Sequence, residues 1–482
     1  MAPATTPGAA AIASTLQVTR AWMNSEIAAA SVSAPPSPSD DARCDVLVIG
    51  GGPAGSTAAA LLAERGFSVV LLEKSRHPRF HIGESLLPSN MRLLEKLGVA
   101  SEVAAIGMDK WGIEFISPWH EGNSLFEFAQ SWDKSMPMAY QVRRSEFDHI
   151  LIRNASRKGA QVFEGFTVRD VTFRPDGAGA RILAVGEDGL RHFWEAYTVV
   201  DASGRDTFLA NKFGAKRKNK KHNSSALFGH FENATRLSGK LEGNITVFWF
   251  EHGWFWFIPL SDGATSVGAV CWPYYLKTRA KGQSVNDFFF QTIALCPPLA
   301  ERLKGATLQA DVTATGNYSY RTTHAQGPGY VLLGDAYAFI DPVFSSGVYL
   351  AMNSGFVGAD LVEARLSDPA RVRAATRRFE DVMVRGPREF SWFIYRVTNP
   401  IMRDMFMRPS NVWRVQEAVL SLFAGDIFGR TPIWPSIFAF KMIYRVASLF
   451  NARRAFAALR RRRINIRDAT PVGASADAQR PN

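Results

Sequence analysis

Near its beginning the chain alternates short aliphatic runs with small-residue helical stretches. Its last quarter is dominated by apolar positions at helical period, studded with Arg and Phe. Val46 to Ile49 is an unbroken β-branched and aliphatic run, which predicts a parallel strand covered on both faces. An Ala/Leu-rich helix follows to Arg65, and a second apolar strand, Ser68 to Leu72, ends at Glu73. "VVDASGRDT" (Val199 to Thr207) and "YVLLGDAYAFIDPVFSSGVYLAMNSG" (Tyr330 to Gly355) each predict a strand running into a small-residue turn, the second opening a helix. At Trp254 the sequence reads "WFWFIP", which places Trp254 and Trp256 on one face of a strand. From Pro369 the pattern is helical; Ile433 to Phe450 reads as one or two amphipathic helices, and Asn451 to Arg467 as a strongly basic one.

Composition narrows the class. With 482 residues, 46% hydrophobic and 21% charged, the chain is an ordinary globular protein, not a disordered, collagenous or coiled-coil one. Cys44, Cys271 and Cys296 form no CxxC pair, which argues against a disulfide framework and a zinc site, and for a reducing compartment. The net charge of +12 is C-terminal: Arg371 to Arg467 holds 20 Lys and Arg against 6 Asp and Glu, and the rest of the chain 36 against 38. Such a field attracts acidic partners, whether a carrier protein or a membrane surface. A second basic run, Lys216 to His222, reads as a solvated loop, and neither run carries a nucleic-acid module. No stretch of apolar residues is long enough to span a bilayer. Residues 1–43 and 468–482 read as flexible tails without a signal peptide, so a cytoplasmic location is expected.

"IGGGPAG" supplies the G-x-G-x-x-G spacing at Gly50, Gly52 and Gly55, with Pro53 and Ala54 opening the helix. Gly50 permits the tight turn, Gly52 lets the backbone approach a pyrophosphate, and Gly55 lets helix and strand pack closely. The helix N-terminus then offers free N–H groups to phosphates. Glu73 lies where an acceptor meets a ribose. Asp335, at a strand end, can hold a polyhydroxyl chain.

These widely spaced segments resemble the FAD-binding pattern of the glutathione-reductase-like flavoproteins, especially the aromatic hydroxylase branch. Arg144, Phe147 and Asp148 in "YQVRRSEFDHILIRNA" match that branch, and no second glycine fingerprint supports an NAD(P)H domain. "WFWFIP" resembles the W-x-W-x-I-P motif of the flavin-dependent halogenases, and the likeness runs over roughly residues 44 to 365. It includes "HIGESLLPSN" (His81 to Asn90), with Glu84 and Ser85, and "DPVFSSG" (Asp341 to Gly347), with Pro342. The spacing is closer to the phenol and pyrrole branch than to the tryptophan branch.

The resemblance implies a Rossmann-like FAD-binding domain with an inserted antiparallel-sheet substrate domain over 44–368, followed by a basic helical region over 369–467: an α/β (α+β) fold. It implies FADH2 from a separate flavin reductase, O2, and chloride or bromide oxidised to hypohalous acid through a flavin C4a-hydroperoxide. By the same resemblance Ser346 and Gly347 bind halide, Gly347 also contacts the flavin, and Trp254 and Trp256 screen flavin from substrate. Lys110, in "GMDKWGIEF", relays the oxidised halogen to an electron-rich aromatic, free or carrier-bound. Glu114 offers no clear carboxylate base there, since its side chain could equally point outward. The competing expectations are an isoprenoid reductase or aromatic hydroxylase, for which Trp256 and Pro259 serve equally, and a non-catalytic flavin-loaded scaffold.

Overall fold

The computed structural model describes residues 42–467 apart from 178, 220–221 and 317–318. The expected tails lie outside these residues, except that Ala42 and Arg43 already belong to the first strand. That strand, β1 (Ala42–Ile49), is central to a sheet in which it pairs in parallel with β2 (Val69–Glu73) on one side and β10 (Arg191–Asp201) on the other. β7 (Gln161–Glu164) extends the sheet beyond β2, and Tyr330–Leu332 extends it beyond β10, both in parallel. The hairpin β8 (Thr167–Phe173) and β9 (Ala180–Val185) joins antiparallel to β10. Val46, Leu47 and Val48 are fully buried under helices packed on the sheet, as an all-aliphatic central strand requires. One of them, α1 (Pro53–Glu64), packs against the long helix α2 (Ser346–Ser367), which brings two distant motifs together.

The second sheet carries β12 (Ser225–Glu232), β15 (Thr265–Cys271), β14 (Gly253–Pro259), β13 (Ile245–Phe250), β4 (Gly112–Ile116) and β5 (Asn123–Glu127) side by side. It is antiparallel except for the β13–β4 pair, which is parallel. β14 is buried along its whole length, and its alternation separates two cores. Trp254, Trp256 and Ile258 join the large core shared with the nucleotide-binding half. Phe255 and Phe257 join a second core beneath the helices Val285–Ala294 and Pro297–Arg302. A short β3 (Met108–Lys110) pairs with β6 (Ala139–Gln141) between the two halves.

The C-terminal helices are α3 (Pro369–Ile394), α4 (Pro400–Met407), α5 (Val415–Phe423), α6 (Trp434–Phe450) and α7 (Ala452–Arg467). Phe390, Phe393, Phe406 and Phe423 sink into the same large core, so this region is packed onto the body. Ile433 to Phe450 forms a single helix from Trp434. The run Lys216–His222 departs from the expected solvated loop. β11 (Lys216–Lys218) pairs with Tyr320–Thr322, Lys216 donates to Thr207 Oγ1 at 2.9 Å, and His222 is buried.

The indole of Trp256 lies across β15 at Gly268, where an added Cβ would come within 2.1 Å of the ring. Gly268→Ala is therefore expected to push the ring aside and cost about 1–3 kcal/mol of stability in urea unfolding.

Candidate functional site

The glycine turn after β1 is built for close approach. Gly50 has φ +101°, and a Cβ there would lie 2.5 Å from Ala202 O; a Cβ on Gly55 would lie 2.0 Å from Gly50 O. At Gly52, the N-cap of α1, a Cβ would meet only Arg79 Nη2 at 3.9 Å, so space is open in front of the helix N-terminus. Pro53 and Ala54 form the buried first turn. Glu73 is buried and accepts from Gly51 N at 2.7 Å and Ser75 N at 2.9 Å, which fixes its carboxylate at the end of β2. Asp335 accepts no side-chain hydrogen bond among the described residues, and burial pushes its carboxyl up to about 6. A carboxylate lacking donors beside an open helix N-terminus fits a dinucleotide whose phosphates meet N–H groups and whose hydroxyls donate.

Pro342 begins a short 3-10 turn, Pro342–Phe344, capped by Asp341 Oδ1, which accepts from Val343 N at 3.3 Å. Ser345 then takes φ +55°, a left-handed conformation that swings the chain into α2. Ser346 is fully buried, and its Oγ has no partner among the described residues. Gly347 is exposed in the first turn, and a Cβ there would meet nothing within 4 Å. An orphaned hydroxyl and free N–H groups at the head of a 22-residue helix suit an anion or the electron-rich edge of a flavin ring.

Lys110 ends β3 and is wholly removed from solvent. Its Nζ donates to Ser85 Oγ and to Leu86 O, both at 2.9 Å, and lies 5.3 Å from the centre of the Phe128 ring. Burial without a carboxylate holds its pKa down to about 7. Residues 84–86 form a rib against β6: Val142 N donates to Glu84 O at 2.8 Å and Leu86 N to Tyr140 O at 3.0 Å. Arg144 supports that rib from behind, gripping Asp148 with two hydrogen bonds and donating to Ile82 O at 2.9 Å. Glu84 Oε1 meets His230 Nε2 at 2.7 Å, while Oε2 is buried without a partner among the described residues. Glu114 does not point outward: it is buried, and it takes Thr246 Oγ1 at 2.6 Å and Arg302 Nη2 at 2.8 Å.

Trp254 and Trp256 lie 6.1 Å apart at 53°, and Trp256 Nε1 donates to Ser266 Oγ at 3.1 Å. Trp256 leans on Phe228, which stacks on the exposed Phe80 of the loop leading to Glu84. Trp254 pairs across the ladder with Trp249, which stacks on Phe115. Phe406 of α4 bridges Phe115 to Phe344 of the Asp341–Gly347 loop, and Phe344 stacks on Phe423 of α5 at 4.3 Å. Aromatic rings thus connect the loop before α2 with the sheet that carries the two indoles. Sequence reasoning missed His222 and Ser224, both buried on Asp341, and His230 on Glu84. Among the described residues no His/Cys/Asp/Glu cluster could hold a metal ion.

The Lys110 amine titrates near 10.5 in the unfolded chain and near 7 when buried. Its desolvation penalty is full below pH 7, shrinks as pH rises, and vanishes above 10.5. Lys110→Met is therefore expected to gain Tm over the wild type, by about 2–4 °C more at pH 6 than at pH 9 in thermal melts.

The family model described as the FAD binding domain matches residues 43–368. A tryptophan 2-halogenase of Chondromyces crocatus is 38% identical over 342 residues, 70% of this chain and 64% of that protein. The chain thus spans just under two thirds of the length of that relative. A Pseudomonas fluorescens chlorinase of 1H-pyrrole-2-carbonyl groups on a peptidyl-carrier protein is 29% identical over 419 residues, 80% of this chain and 89% of that one. The solved structure of the myxobacterial chondrochloren halogenase superposes with a TM-score of 0.70 at 32% identity, covering 86% of this chain and 97% of that one. A family match over residues 43–368, and a likeness in sequence and fold to a solved halogenase over 86% of the chain at 32% identity, lead to one conclusion: the chain belongs to the FAD-dependent halogenases.

Proposed function

We propose that this protein oxidises chloride or bromide and delivers the halogen through Lys110 to an electron-rich aromatic ring, a phenol or pyrrole. The observation that carries the reading is the Lys110 amine: fully buried, uncharged for a substantial fraction of the time at neutral pH, and aimed by two hydrogen bonds. When bound, reduced FAD with O2 supplies the oxidising equivalents, the reduced flavin coming from a separate reductase. Gly50, Gly52, Pro53, Ala54, Gly55, Glu73 and Asp335 hold the dinucleotide, with Arg144 bracing the Glu84–Ser85 rib and Pro342 shaping the loop beside the ring. Ser346 and the Gly347 N–H hold the halide.

Lys110 then acts on hypohalous acid in one of two balanced ways. As ammonium it donates a hydrogen bond to the HOX oxygen and polarises the O–X bond. As amine it attacks X, forming N–X and releasing water after its proton passes to the departing hydroxide. Trp254 and Trp256 keep the aromatic substrate from the oxidant's source. The ring substrate loses its own proton when C–X forms.

The C-terminal face supports a carrier-bound acceptor. Residues 427–467 contain ten Lys and Arg and no Asp or Glu. On α6, Phe438, Met442, Val446, Leu449 and Phe450 are exposed, and Phe456 and Leu459 continue the apolar surface on α7 beside Arg453 and Arg460. An apolar stripe on two helices that carry cations and no acids suits an acidic carrier protein bearing the substrate.

The test supplies FADH2 from a separate reductase, oxygen, bromide and a reactive phenol, and looks for halogenated product by mass. Wild type is expected to halogenate, and Lys110→Ala to lose at least about 100-fold in rate, in line with removal of a group acting in proton or group transfer. Oxygenated product instead would make the protein a hydroxylase, and halogenation indifferent to Lys110 would remove the relay. Carrier-protein binding, measured at rising salt, is expected to weaken steeply; salt-indifferent binding would remove the docking face.

A further inference from the structure

The loop before α2 is held from below by a buried cluster at the end of the run Lys216–His222. His222, Ser224 and Asp341 are each at most 5% exposed. His222 Nε2 lies 2.9 Å from Asp341 Oδ2, and Ser224 Oγ donates to the same oxygen at 3.0 Å. The other oxygen, Oδ1, accepts from Val343 N and caps the turn Pro342–Phe344. One carboxylate therefore joins the root of β12 to the segment that must enter the left-handed conformation at Ser345. The imidazole itself is clamped: Trp272 meets it edge-on at 5.7 Å, and Tyr395, at the end of α3, lies over it at 5.5 Å. Tyr395 is in turn held by a hydrogen bond from Asn219.

We propose that His222 is a positioning residue for the halide: its Nε2–H, together with Ser224, fixes Asp341 so that the loop presents Ser346 and the Gly347 N–H at the spacing an anion needs. Left with one partner fewer on its outer oxygen, Asp341 is free to rotate away from Val343 N, the 3-10 turn loosens, and the head of α2 no longer converges on one point. The effect reaches the halide before it reaches the dinucleotide, because among the described residues the glycine turn, Glu73 and Asp335 make no hydrogen bond to the cluster. This inference rests on the reading of Ser346 and Gly347 as the halide site.

The experiment titrates the FAD-loaded protein with bromide and follows the visible flavin absorption, alongside the bromide KM in turnover. His222→Phe keeps a ring between Trp272 and Tyr395 and removes the donor. His222→Gln places an amide N–H where the ring Nε2–H stood. Wild type should show a saturable spectral change. His222→Phe should weaken bromide about tenfold, a difference of 1.4 kcal/mol, in both Kd and KM, leaving FAD affinity and the KM for the aromatic substrate unchanged. His222→Gln should stay within about threefold of wild type. If the Phe variant fails to fold, Ser224→Ala supplies the weaker version of the same loss. A folded Phe variant that binds bromide like wild type, while Ser346→Ala loses it, overturns the role of His222 and leaves the halide loop standing. A halide effect that Gln does not rescue also overturns it. A wild-type flavin spectrum blind to bromide overturns the halide site and this inference together.

Discussion

An amine taken completely out of water, with one hydroxyl and one carbonyl as its hydrogen-bond partners among the described residues, is the constraint on which the site turns. Without a carboxylate beside it, Lys110 can remain buried only by giving up part of its charge. That requires Ser85 Oγ and Leu86 O to be where they are, and hence the rib of residues 84–86 to run as a rail against β6. Arg144 and Asp148 keep the rail in place, at the cost of two fully buried charges that are tolerable because they are paired in bidentate fashion. Sheet junction, rail and buried amine therefore form one unit, and loosening any part of it would let water in and return the amine to an ordinary ammonium.

The second sheet serves the same end from its two faces. Alternation along β14 sends Phe255 and Phe257 into a small helical core and leaves the indoles of Trp254 and Trp256 facing the nucleotide-binding half. Glu114, two strands over, follows that period too: it belongs with Thr246 and Arg302 on the helical side, which is why it cannot serve as a base at Lys110. The Glu114–Arg302 ion pair is thus confined to one face of the sheet, and the indoles of Trp254 and Trp256 lie on the other.

The loop before α2 shows how a polar cluster far along the chain shapes a turn. A left-handed serine and an orphaned hydroxyl are each individually unfavourable. They persist because Asp341 is held from below and Phe344 is locked into the aromatic column from α4 and α5. The C-terminal helices thus contribute to the site's geometry although the family match ends at 368.

The nucleotide-binding half was legible from residue order alone, because a glycine fingerprint between two aliphatic runs is a local code: turn, helix N-terminus and strand are specified by contiguous residues. Trp254, Trp256, Ser346 and Gly347 could be proposed from short motifs, and Lys110 from its position some two dozen residues after the G-E-S loop. Their environment could not. Whether a lysine at a strand end is solvated or buried depends on a rail two dozen residues upstream, and the side taken by Glu114 depends on the register of β4 with β13. His222 was hidden for the same reason, since a run of lysines looks solvated until a distant aspartate and two aromatic rings enclose its last residue. Local sequence sets backbone shape and residue chemistry; burial, and therefore charge state and reactivity, is a property of what folds over a residue, and only the assembled tertiary structure decides it.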